Sequence, residues 1–188
     1  KTQLMRGEGD RKLVHIVGGC QVAGGPLYLD WNEIRMISIV LAIGFVVSMR
    51  LKKFQSIGSI ARLSYGEILF TLIIGGLTLV TDSPSIYAAA ILHLSLADGM
   101  AALMGLRYGR MTGYTVFGAR KSLVGTLAFF VVSMTILTAY AVIAPVGLSI
   151  PQIVLGAAIA AGLENIGVLG LDNLLVPSFI VGYLTFLL

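Results

Sequence analysis

Charged residues are scarce in this sequence of 188 residues. Asp, Glu, Lys and Arg together make up 12% of it, whereas a soluble domain carries roughly 25%. Hydrophobic residues make up 57%, and the mean hydropathy is +0.94. Most side chains therefore cannot face water, which excludes an ordinary soluble domain. We predict an all-α fold, a polytopic transmembrane helix bundle.

Metal-binding and nucleophilic residues are also few. The single cysteine, Cys20, excludes an intramolecular disulfide. With two histidines in the chain, no Cys/His cluster suits zinc, and no Ser-His-Asp or Cys-His arrangement is readable. The net charge of +4 indicates orientation in a membrane rather than binding to nucleic acid, so we expect no nucleic-acid partner.

Long apolar segments, in contrast, are abundant. A helix needs about 20 mostly apolar residues to cross a bilayer. Such segments lie at residues 13–29, 34–50, 65–80, 85–106, 122–144, 150–165 and 174–188. Turn sequences rich in Gly, Pro, Asp and Ser separate several of them. The sequence therefore predicts about seven spans in a single integral membrane domain over residues 1–188.

The basic residues predict the orientation of these spans. Twelve of the thirteen fall in three segments, 1–12, 50–64 and 107–121, and only Arg35 falls elsewhere. Cytoplasmic loops of membrane proteins carry an excess of Lys and Arg. An odd number of spans with a cytoplasmic N-terminus places all three segments on the cytoplasmic side.

Four acidic residues lie within the apolar segments or at their cytoplasmic ends: Glu67, Asp98, Glu164 and Asp172. A charge near the centre of a membrane helix costs at least about 2.5 kcal/mol, so it needs a polar cavity, a cation or a metal ion. A structural alternative is that Asp98 pairs with Arg107 or His93 only to hold helices together. His93 by itself is more typical of a hydrogen-bonded core residue.

Small residues follow His93 at helical spacing. Ala97, Ala101, Gly105 and Gly109 recur every four residues and form a stripe that lets another helix approach closely. Asp98 lies about 100° around the helix from this stripe. The pattern predicts a close helix contact with a carboxylate beside it.

The segment after this stripe, RYGRMTGYTVFGARKS, combines cations with glycines. Its cations are Arg107, Arg110, Arg120 and Lys121. Glycines let a backbone approach phosphates, and Lys and Arg neutralise them. The alternative is an ordinary basic cytoplasmic loop. A P-loop is excluded, because two extra residues precede the Lys-Ser pair and membrane helices flank the segment.

A third polar group, Glu164, Asp172 and Asn173, lies at a predicted cytoplasmic turn. Proteins often hold Mg²⁺ with one or two carboxylates and the substrate phosphates. Together with the basic loop, these residues predict a site for a polyphosphate and Mg²⁺ at the cytoplasmic face, with a second substrate entering from the bilayer.

Five short sequences in order carry a family resemblance. They are RKLVH at 11–15, YGEILF at 65–70, LADGMAALMGLRYGR at 96–110, KSLVGTLAFF at 121–130, and GLDNLLVP at 170–177, the last preceded by Glu164. Together they resemble the CTP-dependent lipid kinases, the group of phytol, dolichol, polyprenol and diacylglycerol kinases, which is related to phosphatidate cytidylyltransferases.

The resemblance implies transfer of the CTP γ-phosphate to the hydroxyl of a membrane lipid alcohol, with Mg²⁺ as cofactor. Asp98 would be a metal ligand or the base that accepts the hydroxyl proton. The implied phosphate-binding residues are Lys12, Arg107, Arg110, Arg120, Lys121 and Ser122. The implied metal ligands are Asp98, Glu164, Asp172 and Asn173. Further site candidates are Arg11, His15, Glu67, His93 and Gly99.

Two other classes of function stay open at this stage. A cytidylyltransferase would use the same CTP and Mg²⁺ but join a lipid phosphate to the α-phosphate, although GLDNLLVP lacks the longer late-loop signature of those enzymes. A small transporter would also keep acids within a bundle, but inverted repeats are not evident. The sequence does not decide which lipid is used or whether the chain forms a homodimer.

Overall fold

The computed structural model of the protein describes residues 2–50, 65–144, 147–168 and 170–187, without the side chains of residues 2–8, 11, 48–50 and 65–67. Eight α-helices follow one another in the described residues: α1 Thr2–Ala23, α2 Trp31–Arg50, α3 Tyr65–Leu77, α4 Pro84–Leu92, α5 Asp98–Tyr108, α6 Leu123–Ile143, α7 Ile150–Ile166 and α8 Asp172–Leu187. A π-helical turn, His93–Ala97, joins α4 to α5. Two short strands, β1 Gly113–Val116 and β2 Ala119–Ser122, form one hairpin. The predicted all-α class is confirmed.

Each of the seven predicted apolar segments coincides with a helix, once α4, the π-turn and α5 are counted as one. Two described helices are long and apolar enough to cross a membrane, Pro84–Met111 with a hydropathy of 1.6 and Leu123–Ile143 with 2.1. Shorter apolar helices cover Ile68–Leu77, Ile150–Ile166 and Asp172–Leu187. The number of spans and their orientation stay predictions.

Helix α1 begins earlier than the apolar pattern indicates. The predicted span starts at residue 13, whereas the helix starts at Thr2. Hydropathy marks where lipid contact begins, not where a helix begins. Residues 2–12 are helical, and Lys12 lies against the protein, where it pairs with Asp98.

The basic segment 107–121 is also more ordered than the predicted loop. A short 3₁₀ turn at Gly109–Met111 leads into the β1–β2 hairpin. Phe117 and Gly118, at the tip, have φ angles of +45° and +82°. Two consecutive positive φ angles match the right-handed twist of a tight hairpin, and glycine adopts them without strain. Hydropathy does not reveal this turn.

The centre of the bundle is the continuous helix that runs from α4 into α5. Its side chains Tyr87, Ile91, Leu94 and Ala97 are fully or almost fully buried. They form one core with buried residues of α6, α7 and α8, among them Phe129, Leu137, Ala157, Ala160 and Ile180. The polar groups of α5 are therefore placed by three surrounding helices.

The predicted stripe of small residues packs against α6. A Cβ at Gly125 would lie 2.9 Å from the Ala101 carbonyl, and one at Gly105 would lie 3.0 Å from Ser122 Oγ. Real Cβ atoms do not approach so closely without a shift of their neighbours. The predicted close contact is confirmed, and α6 is the partner helix.

Arg35 lies where α3 ends. Its Nη2 donates to the Thr78 carbonyl at 2.7 Å, its Nε to Thr78 Oγ1 at 2.8 Å, and its Nη1 to Asn32 Oδ1 at 2.9 Å. The last carbonyls of a helix lack partners within the helix and carry partial negative charge. The guanidinium therefore caps α3.

Candidate active site

An indentation lies between the end of α7 and the start of α8. It is lined by His93, Leu94, Asp98, Phe129, Glu164, Asp172, Asn173 and Val176. All four predicted metal ligands are among these residues. The indentation holds about 170 Å³ of space outside protein atoms, counting the part open to solvent. The indentation is therefore too small to enclose a large ligand.

Asp98 is held by Lys12 of α1. Lys12 Nζ donates to Asp98 Oδ2 at 2.6 Å, and the two side chains are 19% and 14% exposed. The alternative pairing of Asp98 with Arg107 or His93 is wrong, because those side chains have other neighbours. Removal of one member of a buried ion pair typically destabilises a protein by about 3–5 kcal/mol. The pair therefore fixes α1 against α5.

His93 is a core residue with both ring nitrogens in hydrogen bonds. Nδ1 donates to the Ala89 carbonyl at 2.8 Å, and Nε2 lies 2.8 Å from Ser133 Oγ. Because a carbonyl only accepts, the proton sits on Nδ1, and Nε2 of the neutral ring accepts from Ser133. The side chain is fully buried. The interpretation as a hydrogen-bonded core residue is confirmed, and the ring lines the back of the indentation.

Lys121 of β2 makes the second ion pair of the site. Its Nζ donates to Glu164 Oε1 at 2.5 Å and to the Glu164 carbonyl at 2.8 Å. The Glu164 side chain is only 8% exposed. The carbonyl belongs to the last turn of α7, where a cation is favoured by the helix dipole. Lys121 therefore fastens the hairpin to the end of α7.

Tyr114, the cross-strand partner of Lys121, makes the same connection with neutral groups. Its hydroxyl donates to Asn165 Oδ1 and lies 2.6 Å from Thr126 Oγ1. Asn165 Nδ2 in turn donates to the Ala161 carbonyl at 2.9 Å. None of these three residues stands out in the sequence as a site residue. Asn165 directly follows a predicted metal ligand, but no pattern marks its contact with Tyr114, 51 residues away.

Asp172 and Asn173 open α8 and face the same indentation. Burial raises the pKa of the Asp172 carboxyl, and the negative charge of Asp98 raises it further, while Lys121 and Lys12 act in the opposite direction. The charges of α1, α5, β2 and α8 therefore influence one another at this point. Three carboxyl groups therefore lie close to two ammonium groups at this point.

The predicted phosphate-binding residues divide into two groups. Lys12 and Lys121 lie at the indentation, whereas the arginines at 107, 110 and 120 are exposed, and within the described part of the chain no carboxylate pairs with them. Arg120 and Lys121 are adjacent in a strand and so point to opposite faces of the hairpin. Ser122 caps α6, because its hydroxyl accepts from the Gly125 N–H at 3.1 Å.

The remaining candidates lie on α1, α3 and α5. His15 Nε2 donates to the Leu94 carbonyl at 3.3 Å. Gly99 packs directly on Ile16, where a Cβ would overlap the isoleucine side chain. The side chains of Arg11 and Glu67 lie outside the described residues, so their predicted roles stay predictions.

The oxygen atoms that line the indentation are of the kind that bind a hard divalent cation, but they do not form a complete coordination shell. Four oxygen-bearing side chains line the indentation. Among the residues that the structure describes, no three His, Cys, Asp or Glu side chains converge as a metal-binding group. Asp98 and Glu164 each already hold an ammonium group. This arrangement suits Mg²⁺, which takes one or two carboxylates and completes its shell with water and substrate phosphates.

Comparison with known proteins gives a relative over nearly the whole chain. The chain is 36% identical over 189 residues to a protein named phytol kinase from Synechocystis sp. (strain ATCC 27184 / PCC 6803 / Kazusa), covering 94% of this chain and 78% of the relative. The chain belongs to the CTP-dependent lipid kinase family. No family model matches the chain, and no solved structure does. The family resemblance predicted from the five short sequences is thus confirmed.

The geometry of the site can be compared with what the phosphorylation of a lipid requires. Phosphoryl transfer depends mainly on positioning and on neutralising phosphate charge. A lipid kinase therefore needs cations for a polyphosphate and acids for a metal ion or a proton at one place. The Lys12–Asp98 and Lys121–Glu164 pairs bring two cations and two acids to the edge of one indentation.

Proposed function

We propose that the protein transfers the γ-phosphate of CTP to the hydroxyl of a membrane lipid alcohol at the cytoplasmic face of the membrane. The observation that carries this proposal is the meeting of two lysine–carboxylate pairs with Asp172 at one indentation, in a chain related to a phytol kinase. The relative's name makes phytol the first alcohol to test, followed by dolichol, polyprenol and diacylglycerol.

Lys12 and Lys121 bind the triphosphate in this proposal. Each ammonium group already lies at the indentation with a carboxylate partner. An arriving polyphosphate offers them oxygens of higher charge, and charge-assisted contacts of this kind are strong. Arg107 and Arg110 lie at the exposed end of α5, where they attract the nucleotide before it reaches the lysines.

Asp98 acts on the lipid hydroxyl. It accepts the hydroxyl proton as the lipid oxygen bonds to the γ-phosphorus, and the bond from that phosphorus to the bridging oxygen breaks, which releases CDP. A divalent cation, when bound, neutralises phosphate charge, and the residues that would hold it are Asp98, Glu164, Asp172 and Asn173. Lys12 keeps the Asp98 carboxylate oriented until the nucleotide arrives.

Lipid access follows from the outer faces of the helices. Large apolar side chains are exposed along α2 and α6, among them Met36, Val40, Ile43, Leu127 and Val131. Exposed apolar surface of this extent suits contact with acyl chains. We therefore propose a bundle of about seven spans with a cytoplasmic N-terminus, so that the hairpin and both lysine pairs face the cytoplasm.

A labelling assay tests the reaction. Purified protein is incubated with Mg²⁺ and CTP labelled at the γ-phosphate, with phytol, dolichol, a polyprenol and diacylglycerol in separate reactions, and with the lipid phosphate phosphatidate in a further one. We expect label on at least one lipid, and label from α-labelled CTP in CDP alone. Label in pyrophosphate, or α-label on the lipid, would identify a cytidylyltransferase instead. Folded protein that labels none of these lipids would refute the proposal.

Cysteine accessibility tests the orientation. The single native cysteine, Cys20, is exposed, so it is first replaced by alanine. Single cysteines then replace exposed Arg110, beside the hairpin, and exposed Asp82, before α4. We expect a membrane-impermeant maleimide to label Arg110→Cys only from the cytoplasmic side and Asp82→Cys only from the other. Labelling of both from one side would overturn the proposed arrangement.

A further inference from the structure

One side of α1 fits the segment that carries Asp98. Lys12, His15, Ile16 and Gly19 have the spacing of a single helix face. Each contacts a different residue between 94 and 99: Lys12 pairs with Asp98, His15 with the Leu94 carbonyl, Ile16 with Gly99, and Gly19 with Ser95. The π-turn and the first residues of α5 therefore dock on α1 as one unit.

The π-turn changes the direction in which Asp98 points. The Asp98 N–H donates to the His93 carbonyl, five residues back, and to the Ser95 carbonyl, three residues back. An α-helix would use the Leu94 carbonyl instead. One extra residue in a helix rotates everything after it by about 100°. Without the π-turn, Asp98 would face a different neighbour. The direction of the carboxylate therefore depends on this turn.

Because of the π-turn, the Leu94 carbonyl does not accept the hydrogen bond from the Asp98 N–H that it would accept in an α-helix. His15 Nε2 donates to this carbonyl at 3.3 Å, and the carbonyl lies inside the protein beside a buried Leu94 side chain. A buried carbonyl without a partner is costly, so a donor at this point favours the π-turn over a regular α-helix. Its donor comes from the helix that also supplies Lys12.

We infer that His15 is a positioning residue for Asp98, because it stabilises the π-turn that aims the carboxylate at Lys12 and the indentation. The effect of His15 on catalysis rests on the proposed function, because it assumes that Asp98 takes part in phosphoryl transfer. The hydrogen bond from His15 to Leu94 does not depend on that function. His15 acts through Leu94 and touches no reacting atom.

Packing is the competing explanation for His15. Its ring also lies against Phe70 of α3, with centroids 4.4 Å apart and planes tilted by 50°. Two substitutions separate the roles. His15→Gln keeps an N–H donor of similar reach but loses the aromatic ring, while His15→Phe keeps the ring and loses the donor. Both are compared with Ser38→Ala, which removes a buried hydroxyl donor to the Thr71 carbonyl between α2 and α3.

The kinetic outcome follows from these roles. We expect His15→Phe to lower kcat about 10-fold with KM for CTP changed less than twofold, because the nucleotide-binding lysines remain. His15→Gln should keep kcat within about threefold of the wild type, and Ser38→Ala should lower the thermal midpoint without changing kcat. A His15→Phe protein with wild-type kcat, or a folded His15→Gln protein as slow as His15→Phe, would overturn the positioning role.

A measurement on the ring does not need activity. The chain has two histidines, and their carbonyl partners require protons on different nitrogens, Nε2 of His15 and Nδ1 of His93. Nitrogen-15 NMR of histidine-labelled protein, assigned with His15→Gln, should show a protonated Nε2 on His15. An unprotonated Nε2 refutes the hydrogen bond and the inference with it. A protonated Nε2 in a protein that phosphorylates none of the lipids refutes the proposed function alone.

Discussion

The two ends of the bundle satisfy positive charge in different ways. Where α3 ends, Arg35 donates to a carbonyl, a hydroxyl and an amide oxygen, all of them neutral. At the indentation, Lys12 and Lys121 each meet a carboxylate from a distant helix. Neutral acceptors are sufficient to hold a cation and cap a helix. Carboxylates buried beside lysines add a desolvation cost that holding helices together does not require, and we therefore assign these pairs to the proposed reaction.

The largest expected effect comes from Asp98→Asn. Asparagine keeps the shape and a hydrogen bond but cannot take a proton or bind a cation strongly. If this end performs the chemistry, the variant should still fold and insert, with a lower thermal midpoint because Lys12 loses its carboxylate partner, and the folded fraction should lose turnover by about 10²-fold or more. The assay is phosphoryl transfer at saturating CTP and lipid.

The matched control is Asp82→Asn, an exposed aspartate at the other end of α4, which should keep wild-type turnover. An Asp98→Asn protein with near-normal turnover would place Asp98 in the same class as Arg35, as a residue that only holds helices together.

A smaller and more selective effect is expected for Asp172→Ala. Asp172 lies at the indentation with a pKa raised by burial, and loss of one oxygen ligand should weaken cation binding. We expect about 10-fold more Mg²⁺ for half-maximal activity, with little change in the maximum.

The control for this titration is Asp30→Ala. Asp30 accepts from the Glu33 N–H at the start of α2, so its loss should lower stability and leave the Mg²⁺ titration unchanged. If the Mg²⁺ concentration for half-maximal activity is also unchanged in Asp172→Ala, Asp172 does not bind the cation and serves only at the start of α8.

The smallest effect on activity is expected for Arg35→Met. The variant keeps most of the side-chain length but loses three hydrogen bonds, two of them to Thr78 at the end of α3. Hydrogen bonds from a charged group contribute about 1.5–3 kcal/mol, so we expect a thermal midpoint lower by roughly 3–10 °C. Turnover of the remaining folded protein should be unchanged. A large loss of turnover with an unchanged midpoint would contradict the contrast between the two ends.

The helices were predictable because apolar periodicity and composition act locally along the chain. Each predicted segment is a helix, and the stripe Ala101, Gly105, Gly109 meets another helix as expected. The ends were less predictable. Near its polar start, α1 is held to the protein by the pair of Lys12 with Asp98, and a lipid-based pattern carries no information on protein neighbours.

The composition of the site was predictable, but its pairings were not. Asp98, Glu164, Asp172 and Asn173 stand out as polar groups in apolar surroundings, and all four line the indentation. The partner of Asp98 is 86 residues away, beyond the reach of any local spacing rule. The π-turn is also invisible in sequence, because it changes the helix by one hydrogen bond and leaves the apolar pattern nearly intact.

The hairpin decides which of the basic residues face the indentation. A loop gives no reason to separate Arg120 from Lys121, whereas strand alternation sends them to opposite faces. Tyr114 shares the inner face with Lys121 for the same reason. To separate Lys121 from Arg120 in this way, one would first have to predict the tight turn at Phe117 and Gly118, with its two positive φ angles.

The docking of α1 on residues 94–99 has a consequence for biosynthesis. Ribosomes elongate chains at about 5–20 residues per second, so roughly 4–17 s separate Lys12 from Asp98, 86 residues later. During that interval the Asp98 carboxylate is not available to Lys12. We therefore expect α1 to take its final place against residues 94–99 only after α5 has been inserted. The order of assembly then differs from the order of synthesis.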